Sequence, residues 1–188
     1  LTGWMGLTNG VLQAKGVDGH IQDLYARVRF LRNEVELKRL SFKVQGSDVA
    51  MEATVRNWLA KPSLNGRIES NQLDLSLLIP KGGRSPAREF LETLAATSQV
   101  TMTAAVARGH YQHLKLSALS ARLTIQDGVL DVDRLSGESN HGHVAGRLVV
   151  QLPPNAPADL DLSFRATGVE FDDVLQLAKA QAHGVSGE

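Results

Sequence analysis

Residues 119–150 constrain the fold more than any other part of this 188-residue chain. Apolar residues alternate with polar ones on both sides of Asp127-Gly128, at Leu119, Ala121, Leu123 and Ile125 and then at Leu130 and Val132. Alternation at period two indicates half-buried strands, and Asp-Gly suits the positive φ angles of a two-residue hairpin turn. A third strand follows near residues 144–152, so the stretch predicts an antiparallel meander with one apolar face.

An earlier part of the chain repeats this pattern at an offset of about 95 residues. Residues 24–50 and 119–145 share about eight identities, among them Leu24 with Leu119 and Arg39 with Arg134. We therefore predict an internal repeat. The alternative, that any two amphipathic meanders look alike, is left open by the residues alone.

Both copies change the parity of their alternation at the same point. The apolar positions step by three residues from Leu37 to Leu40 and from Val132 to Leu135. A three-residue step within a period-two pattern predicts a β-bulge that bends the sheet at each place.

The chain divides into a first β repeat at residues 20–79, a loop and helix insert at 80–98, and a second β repeat at 99–182. A strand is predicted at residues 11–15, two more at 64–69 and 73–78, and a turn at Arg108-Gly109. The inserted α-helix lies near residues 86–97, because Ser85 and Pro86 form a start signal. A short C-terminal helix is expected near residues 172–182.

The insert helix carries one apolar stripe, at Phe90, Leu91, Leu94 and Ala95.

Two short helices cannot cover about ten amphipathic strands, and each apolar strand face must be removed from water. The sheet therefore either folds on itself as a sandwich or barrel, or forms a trough whose interior receives an apolar ligand. The residues alone leave both open.

Composition excludes several classes of protein. The chain has no cysteine, which excludes disulfides and thiolate metal sites. Twenty basic and twenty acidic residues balance, so there is no general attraction to nucleic acid. No apolar run approaches the roughly 18 residues of a membrane span. The chain opens on Leu1 rather than methionine, so we expect a fragment of a longer protein whose anchor and export signal lie outside it.

The pattern at residues 119–135, L-x-A-R-L-x-I-x-D-G-x-L-x-V-x-x-L, and the sequence HGHVAGRL at 141–148 resemble the AsmA-like family of bacterial envelope proteins. The sequences LDLSLLIP at 73–80 and VTMTAAVARGHY at 100–111 fit the same family. The resemblance covers most of the chain, from about residue 10 to 177. One departure is His141, where relatives often carry a second glycine.

The resemblance implies a mainly β fold in which a strongly curved antiparallel sheet, built of two meander repeats, forms a groove. It implies a periplasmic protein, anchored to the inner membrane by an N-terminal helix, that transfers phospholipid between inner and outer membranes and supports outer-membrane integrity. The residues expected to face acyl chains are Val28, Phe30, Val35, Leu37, Leu123, Ile125, Leu130, Val132 and Val144. The alternative is a structural or partner-binding β-sandwich repeat of the cell envelope with no lipid.

Other chemistry receives little support from the sequence. Lys81 and Arg84 precede a predicted helix N-terminus and are weak candidates for binding an anionic headgroup. His141 and His143 lack an acidic partner at a metal-binding spacing, and no G-x-S-x-G elbow accompanies the serines nearby. We therefore predict no enzyme activity, no metal and no cofactor. Edge strands left by excision are expected to be able to dimerise.

Overall fold

A computed structural model describes residues 2–12, 20–75, 93–111, 114–139, 142–152 and 159–168. The strands are β1 (Gly3–Leu12), β2 (Ile21–Phe30), β3 (Glu34–Val44), β4 (Ser47–Arg56), β5 (Ser63–Asp74), β6 (Gln99–Tyr111), β7 (Leu114–Gln126), β8 (Val129–Ser139), β9 (Gly142–Gln151) and β10 (Asp159–Thr167). A short helix, α1, occupies residues 93–97. The predicted mainly β class is therefore confirmed.

The ten strands form one sheet in which the order in space follows the order in the chain, from β1 to β10. Within the described ranges, β1 and β10 each pair on one side only, so the sheet is not closed. Sequential strands are neighbours because short turns return the chain antiparallel to itself. The sheet is mainly antiparallel, as predicted, but it is mixed because β5 and β6 are parallel.

The parallel junction follows from the connection at residues 75–98. Parallel neighbours require a crossover of a dozen or more residues, because the chain must return to the end at which the first strand began. α1 is the described end of this crossover, and the Gln99 N–H then donates to the Pro62 carbonyl at 2.9 Å, beside the start of β5. The meanders on either side of the junction remain antiparallel.

The hairpin predicted at Asp127-Gly128 is confirmed. Asp127 has φ of 50° and Gly128 has φ of 81°, the left-handed values that a type I′ turn requires at both positions. The turn is also hydrogen-bonded to neighbouring segments. The Gly128 N–H donates to the Ala95 carbonyl of α1, and the Leu152 N–H donates to the Gly128 carbonyl.

Both predicted bulges are also present. The β3–β4 register shifts between Leu37 and Leu40, and the β8–β9 register shifts between Val132 and Leu135. Each extra residue restores the apolar side chains to one face of the sheet, since two residues on the bulged strand oppose one on its partner. Arg134, within the second bulge, has φ of 52°.

Several predicted boundaries are wrong. The predicted strands at 64–69 and 73–78 are one strand through residue 74, and β6 continues through Arg108-Gly109 without turning. Gly109 leaves space for a neighbouring side chain, because Cδ1 of Leu119 lies 2.6 Å from where a Cβ would be built. The strand predicted at residues 11–15 begins too late, because β1 starts at Gly3 and its last described residue is Leu12; residues 13–15 lie outside the described residues. Of the predicted insert helix, residues 93–97 are helical; residues 86–92 and the predicted helix at 172–182 lie outside the described residues.

Replacing Gly128 with alanine tests the hairpin. We expect Gly128→Ala to lower the free energy of unfolding by about 1 kcal/mol, because a Cβ is strained at positive φ. Urea denaturation followed by circular dichroism measures the change. Gly3→Ala is the control, since Gly3 has no positive φ and a Cβ there meets nothing within 4 Å. Equal effects of the two substitutions would contradict the turn assignment.

Candidate functional site

The register of the sheet aligns apolar residues into rows that cross all ten strands. We define the first row as the unbroken series of directly paired residues Gly3, Phe30, Val35, Val55, Leu64, Val100, Ile125, Leu130, Val150 and Leu160. Every member is apolar or glycine. At about 4.8 Å between strands, the row extends over roughly 43 Å.

A second row runs two residues away on the same side of the sheet. It consists of Met5, Val28, Leu37, Ala53, Gly66, Met102, Leu123, Val132, Leu148 and Leu162, again as an unbroken series of direct partners. We call the side that carries these two rows the apolar face. It offers aliphatic area without fixed polar groups, which suits a hydrocarbon ligand.

The structure brings all nine predicted lipid-facing residues onto the apolar face. Phe30, Val35, Ile125 and Leu130 belong to the first row, and Val28, Leu37, Leu123 and Val132 belong to the second. Val144 lies farther along β9, paired with Gly137 and Ala166. The predicted anion candidates Lys81 and Arg84 lie outside the described residues.

The opposite side of the sheet is polar. Between the two apolar rows runs a series of directly paired residues that point the other way: Trp4, Arg29, Glu36, Thr54, Asn65, Thr101, Thr124, Asp131, Val149 and Asp161. Arg147 forms a bidentate ion pair here with Asp131, at 2.9 and 2.6 Å. The hydrogen bond from Arg147 lowers the pKa of Asp131 below its ordinary value.

The apolar face is most deeply buried where α1 lies against it. Ala95 of α1 is 2% exposed and Ile125 is 5% exposed, and they form one cluster with Val100, Met102 and Leu152. Leu94 packs against the same cluster, which confirms that Leu94 and Ala95 belong to an apolar stripe. Ile125 is therefore on the predicted face but beneath α1. The other eight predicted lipid-facing residues are only half-buried.

No second layer of strands covers the apolar face within the part of the chain that the structure describes. Every extensive contact between two strands joins neighbours in the sheet. A sandwich would instead bring non-neighbouring strands together face to face, about 10 Å apart.

The end of the sheet opposite α1 is held by a hydrogen-bonded carboxylate. Asp48, at the start of β4, accepts hydrogen bonds from the backbone N–H groups of Asn71 and Gln72 and from the Asn71 side-chain amide. Burial alone would raise the pKa of Asp48, but these donors outweigh it and the pKa is lowered. The neighbouring Ser47, 1% exposed, accepts from the Asp74 N–H at 2.9 Å.

Sequence reasoning missed part of the apolar face. Met5 was not recognised because its strand is interrupted by Gly6 and by a register shift beside Asn9. Val55, Leu64 and Met102 lay in alternating segments but were not selected, although their alternation was the available signal. Their place beside the predicted residues depends on pairing between distant strands.

Among the described residues, no helix has the length and apolar character needed to cross a membrane. The same residues contain no group of three or more histidine, aspartate or glutamate side chains arranged to hold a metal ion.

Comparisons with protein-family models, with curated proteins and with solved structures found no match to this chain.

Removing the charge of Asp48 tests how this end of the sheet is held. A lowered folded-state pKa stabilises the fold above the unfolded pKa of about 3.9, and that stability is lost as pH falls through the folded pKa. We expect Asp48→Asn to reduce the free energy of unfolding at pH 7 by about 1–3 kcal/mol and to flatten its decline below about pH 4. Urea denaturation at a series of pH values measures both effects.

Glu138→Gln is the matched control, because Glu138 is an exposed strand residue. The role assigned to Asp48 would be contradicted if the free energy of unfolding of Asp48→Asn declined below about pH 4 as steeply as that of the wild type. It would also be contradicted if Glu138→Gln flattened that decline to the same extent.

Proposed function

We propose that this chain is a segment of a periplasmic AsmA-like protein whose apolar face binds phospholipid acyl chains. The observation that carries the proposal is the pair of unbroken apolar rows, each crossing all ten strands on one side of a single sheet. A surface of this kind in contact with water costs about 25 cal/mol per Å². Acyl chains would remove it from water without requiring polar partners.

The shape we propose is a groove formed by bending of the sheet. Register shifts interrupt pairing at five strand pairs, β1–β2, β2–β3, β3–β4, β7–β8 and β8–β9. Bulges bend strands and increase their twist, and a curved sheet gives its concave side the enclosure that a lipid tail needs. We propose that the apolar face is this concave side.

We also propose that the groove is built of two equivalent five-stranded repeats. β3 and β8 have bounds that differ by 95 residues at both ends, and so do β4 and β9. Asp23 and Ala118, also 95 residues apart, both have positive φ. These correspondences support the repeat predicted from sequence identities alone.

In this function the chain acts by binding rather than by catalysis. The full-length protein would be anchored in the inner membrane, and its groove would shield acyl chains during transfer between the two membranes, which supports outer-membrane integrity. The polar side of the sheet, with ion pairs such as Arg147–Asp131, would face the periplasm. Lys81 and Arg84 remain the proposed contacts for anionic headgroups.

Lipid bound to the purified chain tests this function. Native mass spectrometry and lipid extraction, after gentle purification from a bacterial host, are expected to reveal phospholipid at a defined stoichiometry. Leu37→Asp and Val132→Asp each place a carboxylate in the second row, at positions 95 residues apart. We expect each variant to retain at most about one tenth of the lipid, because a charge among acyl chains must be desolvated.

Thr103→Asp is the matched control. Thr103 is exposed, on the polar side, and paired with Arg67 and Arg122, so an added carboxylate there should leave the bound lipid unchanged. Circular dichroism would confirm that all three variants fold. A folded, lipid-free wild-type chain that excludes hydrophobic dyes would overturn the proposal and favour the partner-binding alternative.

A further inference from the structure

Among the described residues, the outer strands β1 and β10 each pair with another strand on one side only. β1 contains neither lysine, arginine nor proline, and its Met5 and Val11 side chains are 59% and 70% exposed. On β10, Phe164 is 39% exposed, and the charged residues are Asp159, Asp161 and Arg165. Natural edge strands are commonly protected by charge, proline or a covering element, so an uncharged edge strand such as β1 is a template for further pairing.

The junction inside the sheet shows what the two edges fit. β5 and β6 pair in parallel, with Leu64 beside Val100, Gly66 beside Met102 and Ile68 beside Ala104. This junction joins the last strand of the first meander to a strand that begins the second. It is the only parallel pairing among the described strands.

β1 corresponds to β6 in its pairing. Met5 pairs with Val28 of β2, and Met102 pairs with Leu123 of β7, where Val28 and Leu123 are 95 residues apart. The free side of β1 is therefore equivalent to the side of β6 that receives β5.

β10 corresponds to β5 in the same way. Leu162 pairs with Leu148 of β9, and Gly66 pairs with Ala53 of β4, where Leu148 and Ala53 are also 95 residues apart. The free side of β10 is therefore equivalent to the side of β5 that receives β6. The two free edges are thus the two halves of a junction that the molecule already forms internally.

We propose that β10 of one molecule pairs in parallel with β1 of a second copy of this chain, in the register of the β5–β6 junction. Leu162 then lies beside Met5 of the second copy, and Phe164 lies beside its Leu7. Both apolar rows continue from one copy into the next on the same side of the sheet. The inference rests on strand correspondence and does not require that the apolar face bind lipid.

Charge on the polar side favours this pairing. β10 carries Asp161, which lies opposite Trp4 of the second copy in the proposed register. Two arginines of β2 lie over that Trp4 ring, with the guanidinium carbon of Arg27 at 4.7 Å and that of Arg29 at 5.5 Å from its centroid. An acidic residue on β10 would therefore meet a basic and aromatic group next to β1.

The association would be heterologous, because different edges meet. Each added copy presents a new free β10 or β1, so the assembly stays open-ended rather than closing as a symmetric dimer. Sedimentation velocity on lipid-free protein should accordingly show a series of oligomers that lengthens with concentration.

Edge-blocked variants separate this arrangement from pairing between like edges. Met5→Lys blocks β1 and Phe164→Lys blocks β10, each at an exposed position. We expect each variant alone to self-associate at least about tenfold more weakly than wild type, a cost of about 1.4 kcal/mol. Mixed together they should form a one-to-one dimer, because one retains a free β10 and the other a free β1.

Cysteine pairs test the register, since the chain has no cysteine of its own. Met5→Cys mixed with Leu162→Cys should form a disulfide-linked dimer under oxidation. Leu7→Cys mixed with Leu160→Cys is the control, because these positions would lie four residues, or roughly 13 Å, out of register. A monomeric wild type, either blocked variant dimerising alone, or equal cross-linking of both cysteine pairs would overturn the inference.

These measurements use lipid-free protein, so their failure would leave the proposed lipid binding untouched. Conversely, a wild-type chain that carries no lipid after gentle purification and excludes hydrophobic dyes, yet forms the open-ended series, would support the edge pairing while contradicting the proposed function.

Discussion

Cross-strand register is the constraint on which the rest of this structure depends. A shift of one residue in any pairing would turn every side chain of the following strands to the other face. The nine junctions of the sheet avoid this, so that Phe30 near one edge and Leu160 at the other stand on the same side. A single layer can then separate an apolar surface from a charged one. In the described residues, no second sheet packs against the apolar surface.

The bulges are part of this register. From Leu37 to Leu40 the chain spans three residues, which in a regular strand would place the two side chains on opposite faces. The bulge opposite β4 absorbs the extra residue, and Leu40 pairs with Met51 on the apolar face. A β-bulge, which in general bends a strand, therefore also keeps the apolar face of this sheet continuous. Because each bulge keeps apolar residues on one face, the sequence shows it as a three-residue step between apolar positions.

The features that could be predicted from the sequence are those determined by interactions between residues close together in the chain. Alternation and Asp127-Gly128 identified strands and a turn because each depends on a few adjacent residues. The parallel β5–β6 junction depends instead on where a long crossover delivers the chain, which no local pattern encodes. Gly109 was misjudged for a related reason: it looks like a turn residue, but it is a place where Leu119 from the neighbouring strand approaches closely. The apolar face itself was predicted strand by strand, but its continuity requires the long-range pairing.

The parallel junction has a geometric consequence for a sheet made of two five-stranded halves. With an odd number of strands, the first and last strands of a half run in the same direction. An antiparallel junction would then reverse the strand directions of the second half, whereas the parallel one repeats the directions of the first half, as a translation along the sheet would. The β4–β5 connection and the β7–β8 turn consequently lie at the same end of the sheet, where the Lys61 ammonium is 3.5 Å from the Asp127 carboxylate. A translation can be repeated without changing which face is apolar, so a sheet with this junction can lengthen while keeping one continuous apolar surface.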